Sequence, residues 1–188
     1  MDNVMVDLET VGTKAGCGIL SIGAVSFAPY APPPHDTGER FYTVVDLASC
    51  EELGLNTEQG TLDWWEKQSA EARKVLELAR GSADALALAE ALERFNDYLS
   101  QFGPDVKVWG NGSDFDNAIL AVCYDVAGVK PAWKFWNNRC YRTLKSFLPD
   151  LKLERTGTHH DALDDAVSQA YHANQLLRRL TTVQPLPL

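Results

Sequence analysis

The most constraining stretch lies near the start of the chain, Val4-Met5-Val6-Asp7-Leu8-Glu9-Thr10. Its apolar run predicts a strand, and on a strand residues two apart share a face. Asp7 and Glu9 are therefore expected to project together from the end of that run. Two carboxylates side by side at the edge of a core repel each other, and a divalent cation is the usual remedy. A merely acidic strand end fits these seven residues as well, so the rest of the chain has to decide.

The pattern that follows predicts strands, then helices alternating with short strands. Residues 3–7, 19–27 and 40–46 read as three strands joined by short connections, which implies an antiparallel meander. The second of them is apolar enough to be buried on both faces. The proline-rich stretch 29–34 has to be loop, because proline cannot serve a central ladder. Helices are expected from residue 61, with Thr61 as a candidate cap, from Ser69 through residue 78, and over 82–102, the longest helical pattern. A short buried strand over 107–110 precedes a helix over 114–127. Another strand near 135–139, a helix over 141–147 and a last helix over 161–180 complete the order. Residues 181–188 read as a tail. The 188 residues suffice for one domain, expected over 1–180. The order of elements predicts an α/β (mixed α+β) fold, a mixed sheet with helices packed on it.

The net charge of −9 argues at first against a polyanionic partner. Its distribution is uneven, however. Between residues 130 and 155 lie Lys130, Lys134, Arg139, Arg142, Lys145, Lys152 and Arg155, opposed by Asp150 and Glu154 alone. Such a segment suits a phosphate track or an ordinary solvated face. No apolar stretch is long enough to span a bilayer and no signal-peptide pattern follows Met1, so a cytoplasmic protein without a membrane partner is expected. The four cysteines, Cys17, Cys50, Cys123 and Cys140, are scattered without metal-ligand spacing, in keeping with free thiols in a reducing compartment.

Two further acidic stretches stand out. In Trp109-Gly110-Asn111-Gly112-Ser113-Asp114-Phe115-Asp116-Asn117 a strand runs through a glycine-rich turn into a helix. Asp114 is placed to cap that helix, which leaves Asp116 free to point elsewhere. In His159-His160-Asp161-Ala162-Leu163-Asp164-Asp165-Ala166 the cap falls to Asp161, with Asp164 and Asp165 on different faces of the first turn. His160 lies in the loop just before, within swing of whatever the inward aspartate binds.

With these three motifs in order the chain resembles the DEDDh 3′–5′ exonucleases of the ribonuclease-H-like fold, and within them the small 3′–5′ exoribonuclease branch found in actinobacteria and phages. Trp64-Trp65 with Gln68, and Cys140-Tyr141-Arg142-Thr143-Leu144-Lys145, extend the likeness over nearly the whole chain. The resemblance implies a five-stranded mixed sheet with helices on both faces. It makes Asp7, Glu9, Asp116 and Asp165 the acids that hold two divalent cations, Mg²⁺ or Mn²⁺, and His160 the general base. The family spacing of a His, four residues and an Asp is met by His159 with Asp164 as well as by His160 with Asp165. The Ala-Leu-x-Asp-Ala context favours the second pair.

The implied activity is release of nucleoside 5′-monophosphates from the 3′ end of single-stranded RNA, with DNA as the alternative substrate and a catalytically dead nucleic-acid-binding module as the rival of another class. None of the acids is missing, which weighs against the dead module. For substrate contacts the resemblance points to Thr10 and the Val11-Gly12 turn at the terminal sugar, with Asn117 and Arg142 as further candidates. Phe115, Trp109 and Trp136 are candidates for stacking on bases. Adjacent aromatics on a helix cannot both face inward, so one of Trp64 and Trp65 is expected to line the groove; Trp65 is the candidate contact. Members of this size also suggest a homodimer.

Overall fold

The structure is a computed structural model that describes residues 2–31 and 37–182. Strands β1 (Asn3–Thr10), β2 (Ile19–Phe27) and β3 (Thr37–Val44) form the expected antiparallel meander. Strands β4 (Lys107–Gly110) and β5 (Asn138–Cys140) add in parallel to give a five-stranded mixed sheet in the order β3-β2-β1-β4-β5. Strand β1 continues past residue 7 because Leu8 and Glu9 keep pairing with Ile22 and Ser21 on β2. Its pairing with β4 ends at Met5. Asp7 and Glu9 thus lie on a strand with one flank open.

Alternation along β1 sorts its side chains between two cores. Val4, Val6 and Leu8 join the larger core with Leu92, Phe95, Ile119 and Leu120. Five helices cover that face: α1 (Leu47–Glu52), α2 (Gln59–Trp65), α3 (Ala70–Gly81), α4 (Leu88–Ser100) and α5 (Asp116–Ala127). Met5, on the other face, packs with Val25, Phe27, Ala166, Ala170 and Ala173 beneath α6 (Tyr141–Ser146) and α7 (Ala162–Thr182). Asp7 and Glu9 share the Met5 face, so the period of two aims both carboxylates at the start of α7. Helix α7 comes that close because Gly23 has no side chain: a Cβ there would run into the backbone of Ala162 and Leu163.

Several elements differ from the sequence expectation. The longest helix is α7, and the stretch expected as helix over 82–102 is helical only over Leu88–Ser100. Leu86 instead exchanges backbone hydrogen bonds with the chain around Val45: its N–H donates to Val44 O at 3.0 Å and its carbonyl accepts from Asp46 N at 2.7 Å. Tertiary pairing there overrides helical propensity. Helix α1 was not expected; Asp46 caps it by accepting from Ala48 N instead of ending a strand. Helix α2 starts at Gln59, which puts Thr61 inside it and not at its cap. Asp114 does not cap α5, whose N-cap residue is Phe115. Residues 135–137 form a 3-10 turn ahead of the short β5. Ser69 does cap α3, accepting from Ala72 N. Of the expected proline loop, Pro29, Tyr30 and Ala31 are outside any helix or strand, and Pro32–Pro34 lie outside the described residues. Residues 181–182 of the expected tail belong to α7, and the rest of it lies outside the described residues. No helix among the described residues is long and apolar enough to cross a membrane.

Candidate active site

The open flank of β1, the turn before α5 and the start of α7 meet around a cavity of about 600 Å³. Oxygens of Asp7, Glu9 and Asp165 lie within 4.8 Å of one another at its floor. Each acid arrives by a separate local device. Asp7 and Glu9 come from the strand register described above. Asp165 sits in the first turn of α7, which Asp161 caps by accepting from Leu163 N and Asp164 N, both at 3.1 Å. Asp116 opens α5, and Gly110 admits it: a Cβ at Gly110 would lie 2.8 Å from Asn117 Oδ1 and 3.0 Å from Asp116 Cβ.

Asp116 differs from the other three acids. Its Oδ1 accepts from Leu8 N at 3.2 Å and its Oδ2 from Asn111 N at 2.6 Å. These bonds tie the start of α5 to β1, and they keep its oxygens outside the close set of three. Its charge still reaches Asp7. Burial pushes the Asp7 carboxyl well above the usual carboxylate range, and the charges of Asp116, Glu9 and Asp165 push it further. Glu9 is driven the same way by burial and then by Asp165. Burial raises Asp116 to about 6 against the pull of its backbone donors. Gln169, one helical turn beyond Asp165, donates from Nε2 to Asp7 Oδ1 at 2.6 Å. Its own Oε1 is buried without a partner.

His160 adopts a left-handed backbone, φ 64°, and its N–H donates to Asp165 Oδ2 at 3.2 Å. This conformation is uncommon outside glycine, and His160 lines the cavity beside Asp165. The ring stands edge-to-face against Trp64, with centroids 4.8 Å apart, and stacks on His159 at 3.7 Å. Burial holds its pKa below that of free imidazole, with His159 adding to the effect and Asp165 opposing it. A ring nitrogen of each histidine lies within 4.8 Å of Asp165. Asp164, the partner in the alternative spacing, turns away and accepts from Thr158 N at 2.7 Å.

Of the remaining expected residues, Thr10, Gly12, Phe115 and Trp65 line the cavity. Trp65 is nonetheless buried, and its Nε1 donates to Thr10 O at 2.9 Å, so it braces the end of β1. Trp64 is the more exposed of the pair, and both touch the cavity. Val11 does not reach it, because the residue turns into the larger core. Asn117 is buried behind Gly110 and donates to Val108 O at 3.0 Å. Arg142 lies outside the lining, beside the Gly112 turn, and its charge pulls the Asp116 pKa down. Trp109 is buried with Nε1 donating to Asn3 Oδ1, whereas Trp136 is exposed. Sequence reasoning missed Trp64 as a cavity wall, Gln169, Arg155 and Glu58. Gln169 was the most accessible of these, since residues four apart on a helix share a face.

The donor set is all oxygen and largely buried, and the charges of its members push one another's pKa upward. That chemistry fits hard divalent cations. The sheet order, with helices on both of its faces, is that of the ribonuclease-H-like fold. The chain belongs to the 3′-5′ exoribonuclease Rv2179c-like domain family, whose model matches residues 2–177. Accordingly it is a 3′–5′ exonuclease, a hydrolase of phosphodiester bonds. An exodeoxyribonuclease of Enterobacteria phage T4 is 26% identical over 167 residues, 76% of this chain and 70% of the relative. The nuclease domain of 3′hExo, a DEDDh family member solved bound to rAMP, superposes with a TM-score of 0.61 at 14% identity, covering 94% of this chain and 92% of that one. The S. pombe Pop2p structure in its Mg²⁺- and Mn²⁺-bound form gives 0.54 at 15% identity, covering 97% and 86%.

Proposed function

We propose that the protein shortens single-stranded RNA from its 3′ end, releasing nucleoside 5′-monophosphates, with two divalent cations, Mg²⁺ or Mn²⁺, held by Asp7, Glu9, Asp116 and Asp165. The observation that carries this reading is the convergence of Asp7, Glu9 and Asp165, with a ring nitrogen of His160 within 4.8 Å of an Asp165 oxygen. Bound there, the cations supply Lewis acidity that makes a water more acidic and steadies the departing 3′-oxygen. His160 accepts the proton of the attacking water on a ring nitrogen; its lowered pKa keeps that nitrogen free at neutral pH. Gln169 fixes the rotamer of Asp7 through its 2.6 Å bond. Trp64 and Phe115, on the cavity wall, offer faces for stacking on the terminal bases.

RNA is favoured by the family to which the chain belongs, and the name of the phage T4 relative supports DNA as a second reading. Matched end-labelled RNA and DNA oligomers, incubated with Mg²⁺, Mn²⁺ or EDTA, test both. The expected result is a ladder receding from the 3′ end only with metal, and faster on RNA. Faster shortening of DNA would transfer the assignment to the second reading, and shortening that ignores EDTA would remove the metal-dependent mechanism.

A further inference from the structure

Arg155 lines the cavity from the loop between α6 and α7 and forms an ion pair through its guanidinium with Asp165 Oδ1. Among the described residues four acids line that cavity, Asp7, Glu9, Glu58 and Asp165, and Arg155 is the one lysine or arginine in the lining. It also draws the Glu9 carboxyl toward its charged form. The side chain of Arg155 is 45% exposed while that of Asp165 is 9% exposed. The guanidinium thus reaches into the site from its solvent side.

Two consequences follow from charge alone. A guanidinium on Asp165 occupies an oxygen that a divalent cation would use, and a half-exposed ion pair is weak enough to give way. Once displaced, the same fork is left beside the acids with no carboxylate to hold. Its paired N–H groups match two non-bridging oxygens of a phosphate. We propose that Arg155 alternates between two anions: it neutralises Asp165 when no cation is bound, and it binds the phosphate at the cleavage point once cations occupy the acids. No covalent bond changes in this exchange; one set of charge-assisted hydrogen bonds replaces another. Cation loading and phosphate binding become mutually favourable, since each is helped by the release of Arg155. The proposal rests on the metal-dependent reading above.

The test measures Mn²⁺ binding by calorimetry to the parent and to Arg155→Met, then binding of adenosine 5′-monophosphate and of adenosine at saturating Mn²⁺. Removing the internal cation should tighten Mn²⁺ binding about fivefold, the size of a weak ion pair. The nucleotide should bind about tenfold more weakly to the variant, as expected for a lost charged hydrogen bond, with adenosine unchanged. Arg155→Lys, which keeps the charge without the fork, should fall between the parent and Arg155→Met in both measurements. Equal or weaker Mn²⁺ binding by Arg155→Met overturns the proposal. So does an equal loss for nucleotide and nucleoside. If the parent binds Mn²⁺ and nucleotide but the variants match it, the role of Arg155 alone falls. If the parent takes up no Mn²⁺, the metal-dependent reading falls with it.

Discussion

Replacing Gly23 by alanine sets a methyl group into the backbone of Ala162 and Leu163, where α7 begins. An extra methylene forced against side chains costs about 1–3 kcal/mol, because side chains can turn aside. Here the obstacle is main chain whose hydrogen bonds start a helix, so the cost belongs at the upper end, about 3 kcal/mol. For a chain of this length each kcal/mol lowers the unfolding midpoint by about 2–4 °C, which gives a fall of about 6–12 °C. The cheapest relief is for the start of α7 to lift off the sheet. Gly23 pairs with Asp7 in the β1–β2 ladder, and Asp165 and His160 lie at the start of α7, so that movement separates the first acid from the last. A misplacement of about 1 Å costs on the order of a hundredfold in rate. Thermal unfolding followed by circular dichroism, together with initial rates of 3′ shortening well below the lowered midpoint, reads both effects. A variant that melts within about 2 °C of the parent and keeps its kcat would refute the close packing of α7 on β2.

The other predictions concern single side chains at the acids. His160→Ala should lower kcat by about 10²–10⁴-fold while leaving Mn²⁺ binding measurable by calorimetry; His159→Ala should cost less, and the reverse order would reassign the base. Asp116 has its pKa raised from 3.8 to about 6, so the folded chain holds that proton more tightly than the unfolded one. Its contribution to stability is therefore present below about pH 4 and lost as the pH rises through about 6. In EDTA, Asp116→Asn should gain in midpoint over the parent as the pH rises through that window, and a difference independent of pH would contradict the burial argument. Gln169→Leu removes the 2.6 Å donor to Asp7 and should weaken Mn²⁺ binding about 10–100-fold, as found when the outer partner of a metal ligand is lost. Unchanged affinity would mean that Asp7 needs no such brace.

The parts of this fold legible in the sequence are those set by local period. The nine residues of β2 and the four of β4 fall where their apolar runs put them. The shared face of Asp7 and Glu9 follows from alternation alone. What escaped depended on partners distant in the chain. Leu86 carries a helical pattern but is claimed by Val44 and Asp46, and the reach of β1 to Thr10 is fixed by β2. Within the site, the adjacent Trp64 and Trp65 take different duties: Trp65 is buried with its Nε1 donating to the carbonyl of Thr10, and Trp64 stays exposed. Asp116 read as free to point elsewhere than at the helix cap, whereas both its oxygens accept main-chain N–H groups. Arg155 carried no local signal beyond its place in a basic segment, since its position depends on how the loop before α7 folds back.

Asp7, Glu9, Asp116 and Asp165 are proposed to hold divalent cations together. Anomalous diffraction from crystals soaked in Mn²⁺ tests this most directly. Two peaks are expected among these four carboxylates, with the guanidinium of Arg155 withdrawn from Asp165. A protein that takes up Mn²⁺ elsewhere, or not at all, while Arg155 keeps its hold on Asp165, would contradict the account.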